Sequence, residues 1–281
     1  MLVSKTWLIT GSSRGFGQEL SRAVLESGDR LVATARRPDQ LAALQDKYGE
    51  AVRTFALDVT NANAARDAVA FAVTEFGSLD VVVNNAGYAN SAPIEETSDE
   101  DFRAQIEANL FGTVNVTKAA LPIMRVQRSG TIIQFSSVGG RVGGTPGMGA
   151  YQTAKFAVEG FSEVLANEVR PFGIQVMIVE PGAFRTDWQG SSMVLHPVGA
   201  DYEETVGSLN AYRAANADNQ PGDPARAASA IVATVNGGDL PMRLVLGAGA
   251  VKMIQDAAEV RAAETQKWAH VSASADYPLS A

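Results

Sequence analysis

Apolar residues arrive along the 281-residue chain in two alternating rhythms. Short runs rich in β-branched residues read as strands: TWLIT (6–10), RLVATA (30–35), VRTFAL (52–57), LDVVVN (79–84), GTIIQFS (130–136) and IQVMIVE (174–180), with MRLVLG (242–247) as a seventh. The stretches 15–27, 38–48, 61–76, 99–127 and 150–171 between them carry helical periodicity. Strands this continuously apolar are buried on both faces, as in a parallel sheet sandwiched by helices. The pattern predicts an α/β fold, a doubly wound parallel sheet of about seven strands, with 1–281 as one domain. Alternation stops after 182: residues 183–222 are expected to be an excursion over the site, without a clear strand and partly helical near 201–217. DPARAASAIVATV resumes a helix, and 247–281 is read as a C-terminal helix and tail.

In such sheets ligands bind outside the carboxyl ends of the strands, and the unusual residues cluster there. TGSSRGFGQEL (10–20) follows the first strand and opens a helix. Gly11, Gly15 and Gly17 allow tight turns and close backbone approach, and Ser13, Arg14 and Phe16 complete a loop whose helix N-terminus offers free N–H groups to a pyrophosphate. An Asp or Glu about 20 residues on commonly grips the ribose hydroxyls of NAD. Here that position is near Ala35, followed by Arg36 and Arg37, which suit a 2′-phosphate and make NADP(H) the preferred cofactor over NAD(H). Asp58, with Val59, ends the third strand, where the carboxylate either meets an adenine amino group or caps the next helix. Asn85, Ala86 and Gly87 in VVVNNAGYA end the fourth.

Charge and composition narrow the partners. With 46% hydrophobic residues and a formal net charge of −8, a small-molecule ligand is favoured and a nucleic-acid surface, which needs a basic stripe, is not. Cysteine is absent, and His196 and His270 are the two histidines, so thiol catalysis is excluded and no metal site is expected. The N-terminal apolar run is too short for a signal peptide and no run approaches a membrane span, so a cytoplasmic location is expected.

The reacting groups are sought at the fifth and sixth strand ends. Ser136 and Ser137 end IIQFSS; Tyr151 and Lys155, four apart in GAYQTAKFAVEG, share one helix face; VEPGAFRT contributes Pro181, Gly182, Phe184 and Thr186. A phenol has a pKa of about 10, and a neighbouring ammonium favours its ionised form.

Taken together, TGSSRGFG, NNAG, Asn109 in IEANLFGT, the serine pair, YQTAK and PGAFRT resemble the short-chain dehydrogenase/reductase family over most of residues 4–190. The resemblance implies a Rossmann-type fold and hydride transfer between NAD(P) and a carbonyl or alcohol carbon. It also implies Tyr151 as acid/base, Lys155 as its partner, Ser137 orienting the substrate oxygen and Asn109 holding a proton-relay water. By the same resemblance the Pro181–Gly182 turn abuts the nicotinamide, Phe184 and Thr186 meet its carboxamide, and the long helices pair into a homodimer or homotetramer. The Ser137–Tyr151 segment is one residue longer than the common family spacing. Tyr88, Val138, Val142, Trp188 and Met193, with Arg141 as a polar exception, are candidate pocket walls suited to a hydrophobic carbonyl or alcohol substrate. An epimerase or dehydratase, or a non-catalytic dinucleotide-binding regulator, are the alternatives.

Overall fold

In the computed structural model, which describes residues 4–186, 193–216 and 219–277, the β-branched runs become strands of one sheet. In chain order the strands are β1 (Thr6–Ile9), β2 (Arg30–Ala35), β3 (Val52–Ala56), β4 (Val81–Asn84), β5 (Ala89–Ser91), β6 (Gly130–Phe135), β7 (Ile174–Pro181), β8 (Met193–Leu195) and β9 (Arg243–Leu246). Seven of them lie in the order β3-β2-β1-β4-β6-β7-β9, all parallel, so the winding direction reverses between β1 and β4. The helices are α1 (Gly15–Glu26), α2 (Ala42–Tyr48), α3 (Ala62–Phe76), α4 (Asp99–Ile106), α5 (Gly112–Gln127), α6 (Gly149–Val169), α7 (Ser208–Ala215), α8 (Pro224–Gly237) and α9 (Ala248–Ala273).

Why the strands are apolar throughout follows from where successive side chains go. Trp7 and Ile9 point into one core with Leu20 and Val24 of α1 and Ile231 of α8. Leu8, between them, points into the other, with Ala68 of α3, Val116 of α5 and Leu165 of α6. Val82 and Ile132 alternate with Val83 and Ile133 in the same way, so both faces of this single Rossmann-type domain are covered. Two helix starts carry their own caps: Asn61 accepts from the Asn63 and Ala64 N–H groups, and Asp223 from those of Ala225 and Arg226.

Two elements differ from the sequence pattern. The helix expected over 99–127 is interrupted: Glu107–Phe111 forms a π-helical turn between α4 and α5, with Asn109 inside it. The excursion 183–222 does contain a strand, since β8 pairs in parallel with β5 (Ala89 with Met193, Ser91 with Leu195). Three residues are too few for any periodicity to show, and β5, ANS, carries two polar residues. Among the described residues no helix is long and apolar enough to cross a membrane.

Ile133 is fully buried at the middle of β6. Ile133→Ala should cost about 2–5 kcal/mol in chemical denaturation; a loss below about 1 kcal/mol would mean that this core collapses around the cavity.

Candidate active site

The loop between β1 and α1 owes its shape to the end of β4. Asn85 Nδ2 donates to the carbonyls of Thr10 (2.9 Å) and Gly11 (3.1 Å), while Thr10 Oγ1 accepts from the N–H groups of Asn85 and Ala86, both at 3.0 Å. A Cβ on Gly17 would collide with the Gly11 carbonyl oxygen and Asn85 Nδ2, so the first turn of α1 can press this close only as glycine. Ser13, Arg14 and Gly15 are half-buried along the loop. Thr186 lies against Gly15, its Cβ 3.7 Å from where a side chain there would begin. The Phe16 ring turns away from the loop to meet Phe135 and Phe184, at centroid distances of 5.7 and 5.0 Å, leaving its backbone at the helix start.

Beyond β2, Arg36 and Arg37 are exposed, and the residue at the usual acidic position is the buried Ala35. Asp58 is exposed; its Oδ1 accepts from the Thr60 N–H and hydroxyl. The cap of α3 is Asn61, so the capping role open to Asp58 in the sequence is filled by its neighbour. Val59 packs against Gly112, and its carbonyl accepts from Asn115 Nδ2. An acid-free strand end, two exposed guanidinium groups and the N-terminus of α1 fit a dinucleotide bearing an extra phosphate.

Tyr151 and Lys155 do share a face of α6, and both are buried. The Ser137 hydroxyl accepts the Gly139 N–H at 3.0 Å and hydrogen-bonds the Tyr151 phenol. Lys155 Nζ donates to the Phe135 carbonyl at 2.7 Å and sits 5.7 Å from the Tyr151 ring centroid. Burial pushes the phenol's pKa up, against a smaller downward pull from Ser137. The lowering expected from the neighbouring lysine is thus not the balance in this state. Lys155, 5% exposed, is itself moved down to about 8 by desolvation, offset in part by Glu159.

Asn109 lies directly against Gly87 and Tyr88. Its Nδ2 donates to the carbonyls of Tyr88 and Gln105, both at 3.0 Å, and its Oδ1 accepts from the Tyr88 N–H at 3.3 Å. These bonds hold the Gly87–Tyr88 turn, with both polar atoms of the side chain engaged by backbone. A Cβ on Gly87 would lie 2.5 Å from Asn109 Oδ1 and 3.8 Å from Lys155 Nζ, which brings the three positions together. The π-helical turn is the local device that aims Asn109 at this loop.

Several residues that the sequence pattern did not single out stand behind the lysine. Glu159, one turn after Lys155, is buried, and Arg243 Nε reaches both Glu159 and Glu180 at 3.1 Å. Arg243 also pairs with Glu163, and Glu180 takes Arg141 at 3.1 Å. Desolvation raises the Glu159 pKa; its neighbour Glu180 adds to the rise while Arg243 opposes it. An arginine on one strand and glutamates at i and i+4 of a helix carry no signal until the fold puts β9 beside β7.

Around Tyr151, Ala89, Met148 and Met193 form an apolar cluster. Tyr88, Val138 and Val142 are half-buried nearby in sequence, while Arg141 turns its guanidinium to Glu180 rather than standing as a free polar group in the wall. Trp188 lies outside the described residues. Pro181 ends β7, Gly182 N–H donates to the Leu246 carbonyl, and Phe184 bridges to Gly222. An open hollow of about 680 Å³ lies between Phe184, Pro221, Asp223 and Leu246, and none of Ser137, Tyr151 or Lys155 lines it. Among the described residues no group of three or more His, Cys, Asp or Glu is placed to hold a metal ion.

Known proteins resemble this chain in sequence and in fold. A family model for short chain dehydrogenase matches residues 5–193. Oxidoreductase BOA17 of Botryotinia fuckeliana (strain B05.10) is 47% identical over 271 residues, 96% of this chain and 98% of its own. The crystal structure of a short-chain dehydrogenase from Streptomyces avermitilis superposes with a TM-score of 0.90 at 38% identity, covering 98% of this chain and 100% of its own. An alcohol dehydrogenase from Thermococcus sibiricus, in complex with 5-hydroxy-NADP, aligns with a TM-score of 0.69 at 27% identity, over 87% of this chain and 96% of its own.

The lysine shift has a measurable consequence. A folded-state pKa of about 8, below the ordinary 10.5, means that the unfolded chain binds more protons between those values. The lysine's destabilising contribution is therefore full below about pH 8 and is relieved as pH rises towards 10.5. Wild type should gain stability relative to Lys155→Met over that window, by up to about 1.4 kcal/mol per pH unit in denaturant titrations. Parallel pH profiles for the two proteins would show that the ammonium is not desolvated.

Proposed function

The chain belongs to the short-chain dehydrogenase/reductase family of nicotinamide-dependent oxidoreductases, and from that premise we propose an NADPH-dependent reductase that converts a ketone or aldehyde to an alcohol, reversibly. The observation that carries this reading is the Ser137–Tyr151 hydrogen bond with Lys155 one helical turn away. When bound, the nicotinamide supplies the hydride.

Each residue then has a task. The Tyr151 phenol, protonated at neutral pH, donates its proton to the oxygen that was the carbonyl, helped by whatever stabilises the phenolate. Ser137 hydrogen-bonds the same oxygen and keeps it in line with the phenol. Lys155 stabilises the phenolate left behind and, with its Nζ tied to the Phe135 carbonyl, would hold the nicotinamide ribose from below. Asn109 fixes the Gly87–Tyr88 turn that forms one rim. The loop from Gly11 to Gly17, with Asn85 and Ala86 beneath it, would take the pyrophosphate, Arg36 and Arg37 the 2′-phosphate, and Asp58 and Val59 the adenine. Pro181, Gly182, Phe184 and Thr186 would pack along the nicotinamide. The apolar cluster of Ala89, Met148 and Met193 beside Tyr151 favours a carbonyl carried on a hydrophobic body.

Following NADPH absorbance over a panel of ketones and aldehydes tests the reading. Tight NADPH binding without turnover of any carbonyl would favour a dinucleotide-binding regulator instead. Tyr151→Phe should lower kcat by a factor of about 10² to 10⁴ while NADPH affinity, read by fluorescence, stays near wild type. Retained activity would remove the phenol from the mechanism. Arg36→Ala should raise KM for NADPH by roughly tenfold and leave that for NADH nearly unchanged; equal changes would show that no guanidinium there clasps a phosphate.

A further inference from the structure

Arg213 of α7 is a buried cation with no counter-charge among the described residues. It is 8% exposed, and among the described residues no carboxylate lies within ion-pair distance of it. Its neighbours are neutral: NH1 donates to Ser91 Oγ at 3.0 Å and to Asn210 Oδ1 at 3.1 Å, and the Ser91 hydroxyl donates to Asn210 Oδ1 at 2.7 Å. Asn210 Nδ2 is buried and has no hydrogen-bond partner among the described residues. Burial lowers the arginine's pKa with nothing opposing it. A buried charge left unpaired costs several kcal/mol, so proteins either pair such groups or keep them for a ligand.

The position of this group says which ligand. Ser91 and Ala89 lie two apart on β5, on the same face of the strand, and Ala89 packs on Tyr151 with Met148 and Met193. A Cβ on Gly147, the residue before Met148, would lie 2.5 Å from Ser91 Oγ and 2.9 Å from Val206, so β5, the start of α6 and the segment leading into α7 converge there. The guanidinium and the orphan amide are thus donors set about two residues of strand, roughly 7 Å, beyond the apolar cluster at Tyr151. A guanidinium bonded only to neutral acceptors, beside an amide N–H group with no partner among the described residues, is complementary to an anion.

We propose that Arg213, with Asn210 Nδ2, forms an anion-accepting end to the substrate pocket and takes the carboxylate of an oxo acid whose ketone lies at Tyr151. This rests on the carbonyl-reductase reading above and narrows its substrate class: an apolar chain with a ketone at one point and a carboxylate further along. Arg213 is a specificity-determining residue here and takes no part in proton transfer.

The test compares medium-chain oxo acids with their methyl esters, using wild type, Arg213→Met and Asn210→Asp. Wild type should favour acid over ester by about tenfold or more in kcat/KM, through KM, and Arg213→Met should erase that ratio. Asn210→Asp supplies an internal carboxylate, so it should also erase the preference while raising Tm; it keeps the test decisive if Arg213→Met folds poorly. Equal losses for acid and ester in both variants, or no preference in wild type, would overturn the proposal and leave Arg213 as a brace between α7 and β5. A second readout needs no turnover: hexanoate should raise the Tm of wild type but not of Arg213→Met, and inorganic phosphate should do so less. Absence of turnover with every carbonyl would defeat the reductase reading alone, and the melting comparison would still decide the carboxylate site.

Discussion

The buried ammonium of Lys155 is the constraint around which much of this molecule is arranged. Removing an ammonium from water costs several kcal/mol unless nearby groups compensate. Here the Phe135 carbonyl accepts it directly and Glu159 acts on it from one turn away. Glu159 is itself buried and needs Arg243, which in turn draws in Glu180, a carboxylate with no exposed surface. Glu180 binds Arg141, in the segment just after Ser137. Arg261 of α9 then donates to the carbonyls of Arg141 and Val142, at 2.7 and 2.5 Å. One desolvated charge thus ties α6, β7, β9, the loop after β6 and the last helix into a single chain of compensation. This explains why a segment so rich in glycine, residues 139–147, can still carry Ser137 and Met148 at fixed positions.

The second organising fact is topological. The winding reverses between β1 and β4, so the connections leaving these neighbours go to opposite faces and a crevice opens at their carboxyl ends. Its floor is made from both strands at once: Asn85, from the end of β4, holds the carbonyls at the end of β1. The glycine loop is therefore not a free turn that happens to suit a phosphate. It is preorganised by an amide from the adjacent strand, and the absence of a side chain at Gly17 is what lets α1 start against it.

How much of this was legible in the residues follows from the range of each interaction. Strand and helix identity is a short-range pattern, and the strand boundaries inferred from apolar runs fall within two residues of those observed. The loop motifs were legible because their chemistry is local: glycines where backbone must approach, amides where carbonyls need donors. The β5–β8 pair was not, because Ala89 and Met193 are about a hundred residues apart and each strand is three residues long. Neither was the Glu159–Arg243–Glu180 cluster, which exists only once β9 docks beside β7. Arg213 is set apart by burial, which only the packed structure supplies. Asn109 illustrates a mixed case, since its position in the motif was plain but the backbone bonds that occupy its amide were not.

Desolvation also sets the protonation states of this pair. It moves Tyr151 and Lys155 in opposite senses on the pH scale, yet both towards the neutral form. A phenol whose pKa is raised stays protonated at neutral pH but is a weaker acid, so giving up its proton depends on stabilising the phenolate left behind. Oxidation of an alcohol would need the phenolate, which in turn needs a cation close to the ring. Lys155 can serve only while charged, and with its pKa near 8 that charge fades above this value. The carboxylates behind the lysine then acquire a function beyond packing: by raising its pKa against burial, Glu159 keeps an ammonium beside Tyr151 over more of the neutral range.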